Sequence, residues 1–260
     1  LSKKDLGYID EIWCWGNIQA NLLEKKIETI SNKPRLSVTG SIRYEYAKSL
    51  PKCNYVKHLG KLLWNTNYGT ISPRYQTAWQ EFRQHNDHSQ LSPNETLEKL
   101  LQQSADRQSS FEYIHSLSQD LENIQLTIRP HPFESSSFYK RNFNTEAPNI
   151  NISTLTDVHI DLLEHSLVLQ YGCQTALDAF IRGIPSVRPS RGHTNRWSKV
   201  TPYIDLDKLK ENLFSAKFLQ NILIEQKSLF DEHNISSLLI NLEKPFIISN
   251  ISSIRSKEKD

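Results

Sequence analysis

Apolar residues in this chain fall into two kinds of stretch: short runs with almost no polar break, and longer segments with apolar positions three and four apart. The short runs suit strands buried on both faces, and the second spacing suits helices packed on one side. The organising stretch is SLVLQYGCQTALDAFIRGIPSVRP, residues 166–189. Within it, residues 167–171 predict a strand that Gly172 ends. Cys173, Gln174 and Thr175 then open a helix with Ala176, Leu177, Ala179, Phe180 and Ile181 on its apolar side. Gly183, Ile184 and Pro185 predict a helix stop with a Schellman-like cap, and residues 186–189 a second strand.

The same alternation recurs along the chain. Residues 8–15 predict a strand ending at Gly16, residues 17–30 a helix, and residues 35–39 a strand that meets Gly40. Residues 41–59 keep neither period and carry Pro51, as an interdomain connection would. Residues 62–67 predict a strand leading into a polar turn through Gly69. Ser92, with Pro93 and Glu95 behind it, predicts a capping box at the head of a long helix whose inner face is Leu97, Leu100, Leu101, Ile114 and Leu117. Residues 124–128 and 150–152 predict strands, and residues 157–165, 205–214, 218–230 and 235–242 helices, before a charged tail. Strand and helix alternate repeatedly from residue 62 to 214, so a doubly wound parallel sheet, an α/β Rossmann-like architecture, is expected. The expected organisation is residues 1–58 as the tail of a first α/β domain and its linker, 59–215 as the complete Rossmann-like domain, and 216–260 as C-terminal helices and tail.

Composition narrows the class. A chain of 260 residues with 37% hydrophobic and 23% charged residues fits a soluble globular protein. Its net charge of +2 gives no basis for nucleic-acid binding. No apolar run nears the roughly 20 residues of a membrane helix, and no signal peptide is visible. The three cysteines, Cys14, Cys53 and Cys173, lack metal-ligand spacing and are expected as free thiols in a reducing cytoplasm. Sequons at Asn94, Asn151, Asn234 and Asn250 then read as chance products of composition. The sequence holds no Met and begins LSKKDLGYIDEIW, so a fragment of a longer protein is expected.

Ligands of a doubly wound sheet bind at the carboxyl ends of its strands, where strand order switches. Three polar turns are expected on that rim: residues 65–69, 129–132 and 172–175. At the third, the N–H groups of Gln174 and Thr175, with the Thr175 hydroxyl, would face a phosphate at a helix N-terminus. In LTIRPHPFE, Pro130 and Pro132 stiffen the turn that presents His131, and Arg129 offers a bidentate phosphate partner. An ordinary βαβ crossover and a histidine packed in a turn are the plain alternatives. Glu134 and Asp157 are expected as solvated surface carboxylates. His85, Asp87 and His88 resemble a metal cluster only superficially, and no metal is assigned. Arg191, His193 and Arg196 follow the last core strand, where they would close over phosphates or an acidic sugar, or form a mobile surface loop.

The order of TGSIRYE (39–45), WNTNYG (64–69), IRPHP (128–132) and YGCQTALDAFIRGIPSV (171–187) resembles the C-terminal half of bacterial GT-B glycosyltransferases of surface-polysaccharide assembly. The family is similar in turn to capsule Kdo transferases, bacterial sialyltransferases and CDP-glycerol glycerophosphotransferases. The resemblance covers roughly residues 8–200. It implies an HP motif and a later Ser/Thr motif holding the nucleotide phosphate, which fall on His131 with Pro132 and on Thr175 with Gln174 beside Gly172. An acidic contact to the nucleotide falls on Asp178, with Asn67 at the neighbouring turn. The usual Ser pair is Gln174-Thr175 here and the usual Glu is Asp178, one methylene shorter. Arg43, Asn65 and His193 are further candidates, and the catalytic residues are expected in the other domain. The implied activity is transfer of a sugar from a nucleotide-activated donor, such as CMP-Kdo or another CMP-linked acidic sugar, to a glycan or lipid-linked glycan. No cofactor or metal is expected. The implied place is the cytoplasm, with peripheral association at the inner membrane face through a complex. A UDP-sugar 2-epimerase of the same fold and a non-catalytic nucleotide-binding or scaffold module remain as alternatives.

Overall fold

The computed structural model describes residues 6, 8–78, 80–81, 84, 92–121, 123–144, 146–155, 157–192 and 196–233. The chain divides into two compact units, one reaching to Leu50 and taken up again from Phe230, the other Pro51–Leu229. In the first unit β1 (Glu11–Cys14) and β2 (Arg35–Val38) pair in parallel, with α1 (Asn17–Ile27) between them in sequence. The Glu11 carboxylate ties the strands, accepting from Arg35 Nη2 at 2.9 Å and Ser37 Oγ at 2.5 Å. Residues 41–59, expected as a plain connection, instead hold α2 (Ile42–Ser49) and a 3-10 turn at Tyr55–His58. Tyr44 and Ala47, three apart, are both buried, a one-sided face too short to stand out among its charged neighbours.

The second unit carries the parallel sheet. Its strands are β3 (Lys61–Asn65), β4 (Gln125–Arg129), β5 (Ile150–Ile152), β6 (Leu167–Gln170) and β7 (Ser186–Val187), all parallel, in the order β5-β4-β3-β6-β7. The chain steps from β3 outward through β4 and β5, then returns to the other side of β3. Strand order therefore switches between β3 and β6. Helices α3 (Pro93–Asp120), α4 (Ser137–Asn142), α5 (Val158–Leu162), α6 (Thr175–Ile181), α7 (Arg196–Lys199), α8 (Leu206–Asn212) and α9 (Ala216–Glu232) complete the order.

The period of two along β3 divides the core. Leu62 and Trp64 join Ile114, Leu117, Leu126, Leu209 and Leu219 on the face of α3, α8 and α9, whereas Leu63 joins Leu162, Val168, Ala179 and Ile184 on the face of α5 and α6. Residues 62–65 and 167–170 are all buried, and covering on both faces is why these runs carry so few polar residues. The capping box of α3 forms as expected: Ser92 Oγ accepts from Glu95 N, and the Glu95 carboxylate accepts from Ser92 N at 2.7 Å. Its expected inner face holds only in the second half. Ile114 and Leu117 are fully buried, while Leu97 is 48% and Leu101 61% exposed; the buried positions between Leu101 and Ile114 are Asp106, Ser110 and Tyr113. The Schellman cap closes α6, with Ile184 N donating to Ala179 O and Gly183 N to Phe180 O, both at 2.9 Å, and Gly183 at φ +75°. Among the described residues no helix is long and apolar enough to cross a membrane, and the three cysteines are free thiols. The helix expected over residues 235–242 lies outside the described residues.

Candidate functional site

Register brings the three expected turns together. Asn65 lies opposite Arg129 on one side and Gln170 on the other, so the carboxyl ends of β4, β3 and β6 stand side by side at roughly 5 Å spacing. Bonds cross the gaps: Thr66 N donates to Arg129 O at 3.0 Å, and Asn65 Nδ2 donates to Cys173 Sγ at 3.1 Å.

Glu134 holds the first two turns in shape. Expected on the solvated surface, it is 2% exposed. The turn after His131 is tight, with Glu134 N donating to His131 O at 2.7 Å, and it folds the carboxylate back under the rim. One oxygen accepts from Thr66 Oγ1 at 2.5 Å, Tyr68 N at 3.2 Å and His131 N at 3.4 Å; the other accepts from Tyr139 Oη at 2.5 Å. Burial pushes the Glu134 carboxyl up from the usual carboxylate range, against the opposing pull of these hydrogen bonds. The strap after β3 runs antiparallel to the same turn, with Arg74 N donating to Phe133 O and Ser135 N to Ser72 O, both at 2.8 Å. Asp157, the other carboxylate expected in solvent, is partly buried and caps α5, accepting from His159 N at 2.8 Å.

These straps and α3 border a half-open cavity of about 380 Å³ whose walls include Asn67, Gly69, Arg74, Gln103, His131 and Phe133. His131 is half-buried, and Phe133 N donates to its Nδ1 at 3.3 Å. That acceptor role puts the proton of the neutral ring on Nε2, leaving one N–H donor. Burial lowers the His131 pKa, which favours the neutral form. Pro132, beside it, is exposed.

On the β6 side the donors are already engaged. Gly172 turns the chain at φ +50°, and Cys173 N donates to Gln170 Oε1 at 2.7 Å. The Thr175 hydroxyl and N–H both face the Cys173 sulfur, as does the Asn65 amide. A phosphate reaching these donors has to displace the thiol. Gln174 is the N-cap of α6 and makes no side-chain cap bond; Asp178 is fully buried within the helix. None of Gly172, Gln174, Thr175 and Asp178 lines the cavity at His131. Arg129 is 7% exposed and gives Nη1 to Asp161 Oδ2 at 2.5 Å, while Ser153 Oγ donates to the same oxygen at 2.8 Å. Its guanidinium is therefore tied beneath the rim. Arg43 is exposed on α2 of the first unit. His193, His85, Asp87 and His88, and the side chain of Arg196, lie outside the described residues.

Sequence reasoning missed the Glu134 pin and a polar wall on α3. There the Asp106 carboxylate, 3% exposed, accepts from Tyr171 Oη at 2.7 Å, Gln102 Nε2 at 3.1 Å and Ser190 Oγ at 3.4 Å. Tyr68 Oη donates to Ser110 Oγ at 2.9 Å, and the Tyr68 and Tyr171 rings lie 4.6 Å apart. Both tyrosines follow rim strands, so α3 fixes the rim from its flank. A second cavity of about 530 Å³ touches Asp106, Tyr113, Ser190 and Arg191, whose guanidinium lies over the Tyr203 ring at 4.6 Å. Among the described residues no three His, Cys, Asp or Glu side chains cluster as metal ligands would.

A doubly wound parallel sheet with its turns gathered at a strand-order switch defines a Rossmann-like α/β protein. Compared with known proteins, the chain matches no protein-family model and no curated protein sequence. Among solved structures it is similar to the wall teichoic acid polymerase TagF, at 11% identity and a TM-score of 0.50, over 96% of this chain and 59% of that one. It is also similar to a candidate UDP-N-acetylglucosamine 2-epimerase from Listeria monocytogenes (15% identity, TM-score 0.45, 96% of this chain and 60% of that one). A third is TarM (11% identity, TM-score 0.41, 94% of this chain and 45% of that one). The fold is α/β and GT-B-like, and the chain spans about three fifths of the length of TagF, 59%.

Proposed function

We propose that this chain is the nucleotide-binding half of a GT-B-type glycosyltransferase of surface-glycopolymer synthesis. It would take a sugar from a nucleotide-activated donor, with CMP-linked acidic sugars the first candidates, and pass it to a glycan or lipid-linked glycan acceptor. The observation that carries the reading is His131, held by the Glu134 turn at a cavity on the switch-point rim, with an N–H left to donate. The fold shared with TagF, a wall teichoic acid polymerase, is consistent with it. In this reading the His131 Nε2–H stabilises charge building on the leaving phosphate, while Arg129, its charge balanced by Asp161, keeps to holding the turn. The Asn65, Gln174 and Thr175 donors join if the phosphate displaces the Cys173 thiol.

Isothermal titration of CMP, CDP and UDP against the purified chain tests the reading. At least one should bind at micromolar to millimolar concentration, and His131→Ala should weaken it by about tenfold, the loss of one hydrogen bond to a charged group. Failure of all three to bind at millimolar levels refutes the assignment.

A further inference from the structure

We propose that the cavity beside His131 seats the transferred group of the donor, a polyhydroxylated glycosyl or polyol moiety, and that Gln103 selects it by accepting from one of its hydroxyls. The inference rests on the nucleotide-donor reading above. Nothing in the sequence singled out Gln103; its place on α3 brings it to the cavity wall.

The chemistry of the wall is the first argument. Asn67 and Gln103 bring amides, Tyr75 and Phe133 bring rings, and Arg74 and Glu81 set one cation against one carboxylate. Amides with aromatic faces, with one cation set against one carboxylate, suit a hydroxyl-rich group, whereas a phosphate itself calls for several cations or convergent N–H groups. The state of Gln103 is the second. Its Oε1 is shut off from solvent and has no hydrogen-bond partner, a destabilising arrangement unless something fills it. The adjacent amide on the same helix is spent otherwise, since Gln102 donates to Asp106 at 3.1 Å. Because no bond holds the Gln103 oxygen, turning it into the cavity breaks nothing. A hydroxyl both donates and accepts, so one hydroxyl of the transferred group can donate to Gln103 while the leaving phosphate keeps the His131 Nε2–H. An ionised phosphate oxygen only accepts and leaves the Gln103 oxygen unserved.

The test is isothermal titration of the full chain with CMP, CDP and UDP and with CMP-sialic acid, CDP-glycerol and UDP-glucose, on wild type and Gln103→Leu. At least one conjugate should bind about fivefold or more tighter than its bare nucleotide, the size of one neutral hydrogen bond. Gln103→Leu should erase that gain and leave the bare nucleotide's affinity unchanged. Conjugates that bind no tighter than nucleotides, or a preference that survives Gln103→Leu, overturn the inference and leave the donor reading standing. No binding by any of the six overturns both. Thermal melting separates a structural role: Gln103→Leu removes an unpartnered oxygen and should melt no lower than wild type, and a clear drop in Tm would overturn the selective role.

Discussion

Replacing Glu134 tests how the rim is held. Glu134→Ala removes the acceptor of the Thr66 and Tyr139 hydroxyls and of the Tyr68 and His131 N–H groups. Thr66 keeps a fallback, because its hydroxyl also lies 3.4 Å from Arg129 O. Tyr139 has less freedom, with a fully buried ring set edge-on to Trp64 at 5.3 Å. The Tyr68 and His131 N–H groups belong to a backbone locked by the strap and cannot turn away. Each orphaned buried donor costs about 1–3 kcal/mol, so the three without a fallback, the longest bond counting least, give a loss of about 4 kcal/mol. With a urea m-value of about 2 kcal/mol/M, the unfolding midpoint should fall by about 2 M. Glu134→Gln is the discriminating control. Its carbonyl can take the place of the oxygen that accepts three bonds, and its NH₂ can donate to Tyr139, whose hydroxyl then accepts. This variant should stay within about 1 kcal/mol of wild type, because it also sheds the cost of ionising a buried carboxyl. Urea melts followed by circular dichroism decide. A loss under about 1 kcal/mol for Glu134→Ala, or an equal loss for Glu134→Gln, would refute the pin.

Breaking the buried Arg129–Asp161 pair with Arg129→Met should destabilise by about 3–5 kcal/mol, since the carboxylate is stranded, while Arg129→Met with Asp161→Leu should recover most of it; equal losses in single and double variants would show that the pair is not the unit. Gly183→Ala should cost about 1–2 kcal/mol from its left-handed φ alone, because an added Cβ meets nothing within 4 Å there; a thermal melt showing a much larger loss would mean the space is not open. Burial lowers the pKa of both His131 and His165. Their contribution to stability is therefore full above the unfolded value near 6.5 and is lost as pH falls through it toward the folded values, so the urea midpoint should be lower at pH 5.5 than at pH 7.5. Glu134, with its raised pKa, acts in the opposite sense as pH rises above about 4.3, so the histidine effect is best read on Glu134→Gln, where a flat profile would count against it.

The sheet was legible because burial on both faces leaves a plain trace. β3 overlaps the run at 62–67 and β6 falls within the run at 167–171, and the Gly183 stop follows from the left-handed residue that a Schellman cap needs. The interior polar groups left no such trace. Hydropathy places Glu134 and Asp106 outside, yet both are buried, each with hydroxyl or amide partners. Asp106 is bonded by Tyr171, 65 residues away, so no local pattern could pair them. Leu97 and Leu101 mislead in the opposite direction, because an apolar period along a helix says which side is apolar and not how far the core reaches along it.

Glu134 differs from Asp106 in that a local signal did exist. A carboxylate three residues after His131, in a turn stiffened by two prolines, stands where a capping-box Glu stands to its N-cap, and the structure shows that bond, weakly, as His131 N to Glu134. The turn geometry brings the side chain back to its own start, and the polar segment after β3 then supplies Thr66 and Tyr68 to complete the acceptor's shell. The residue that looked most like surface decoration in the HP segment therefore sets the position of the histidine. Any change that frees that carboxylate should move His131 before it touches a ligand, which is why Glu134→Gln, with its geometry kept and its charge removed, separates the holding of the turn from the chemistry at it.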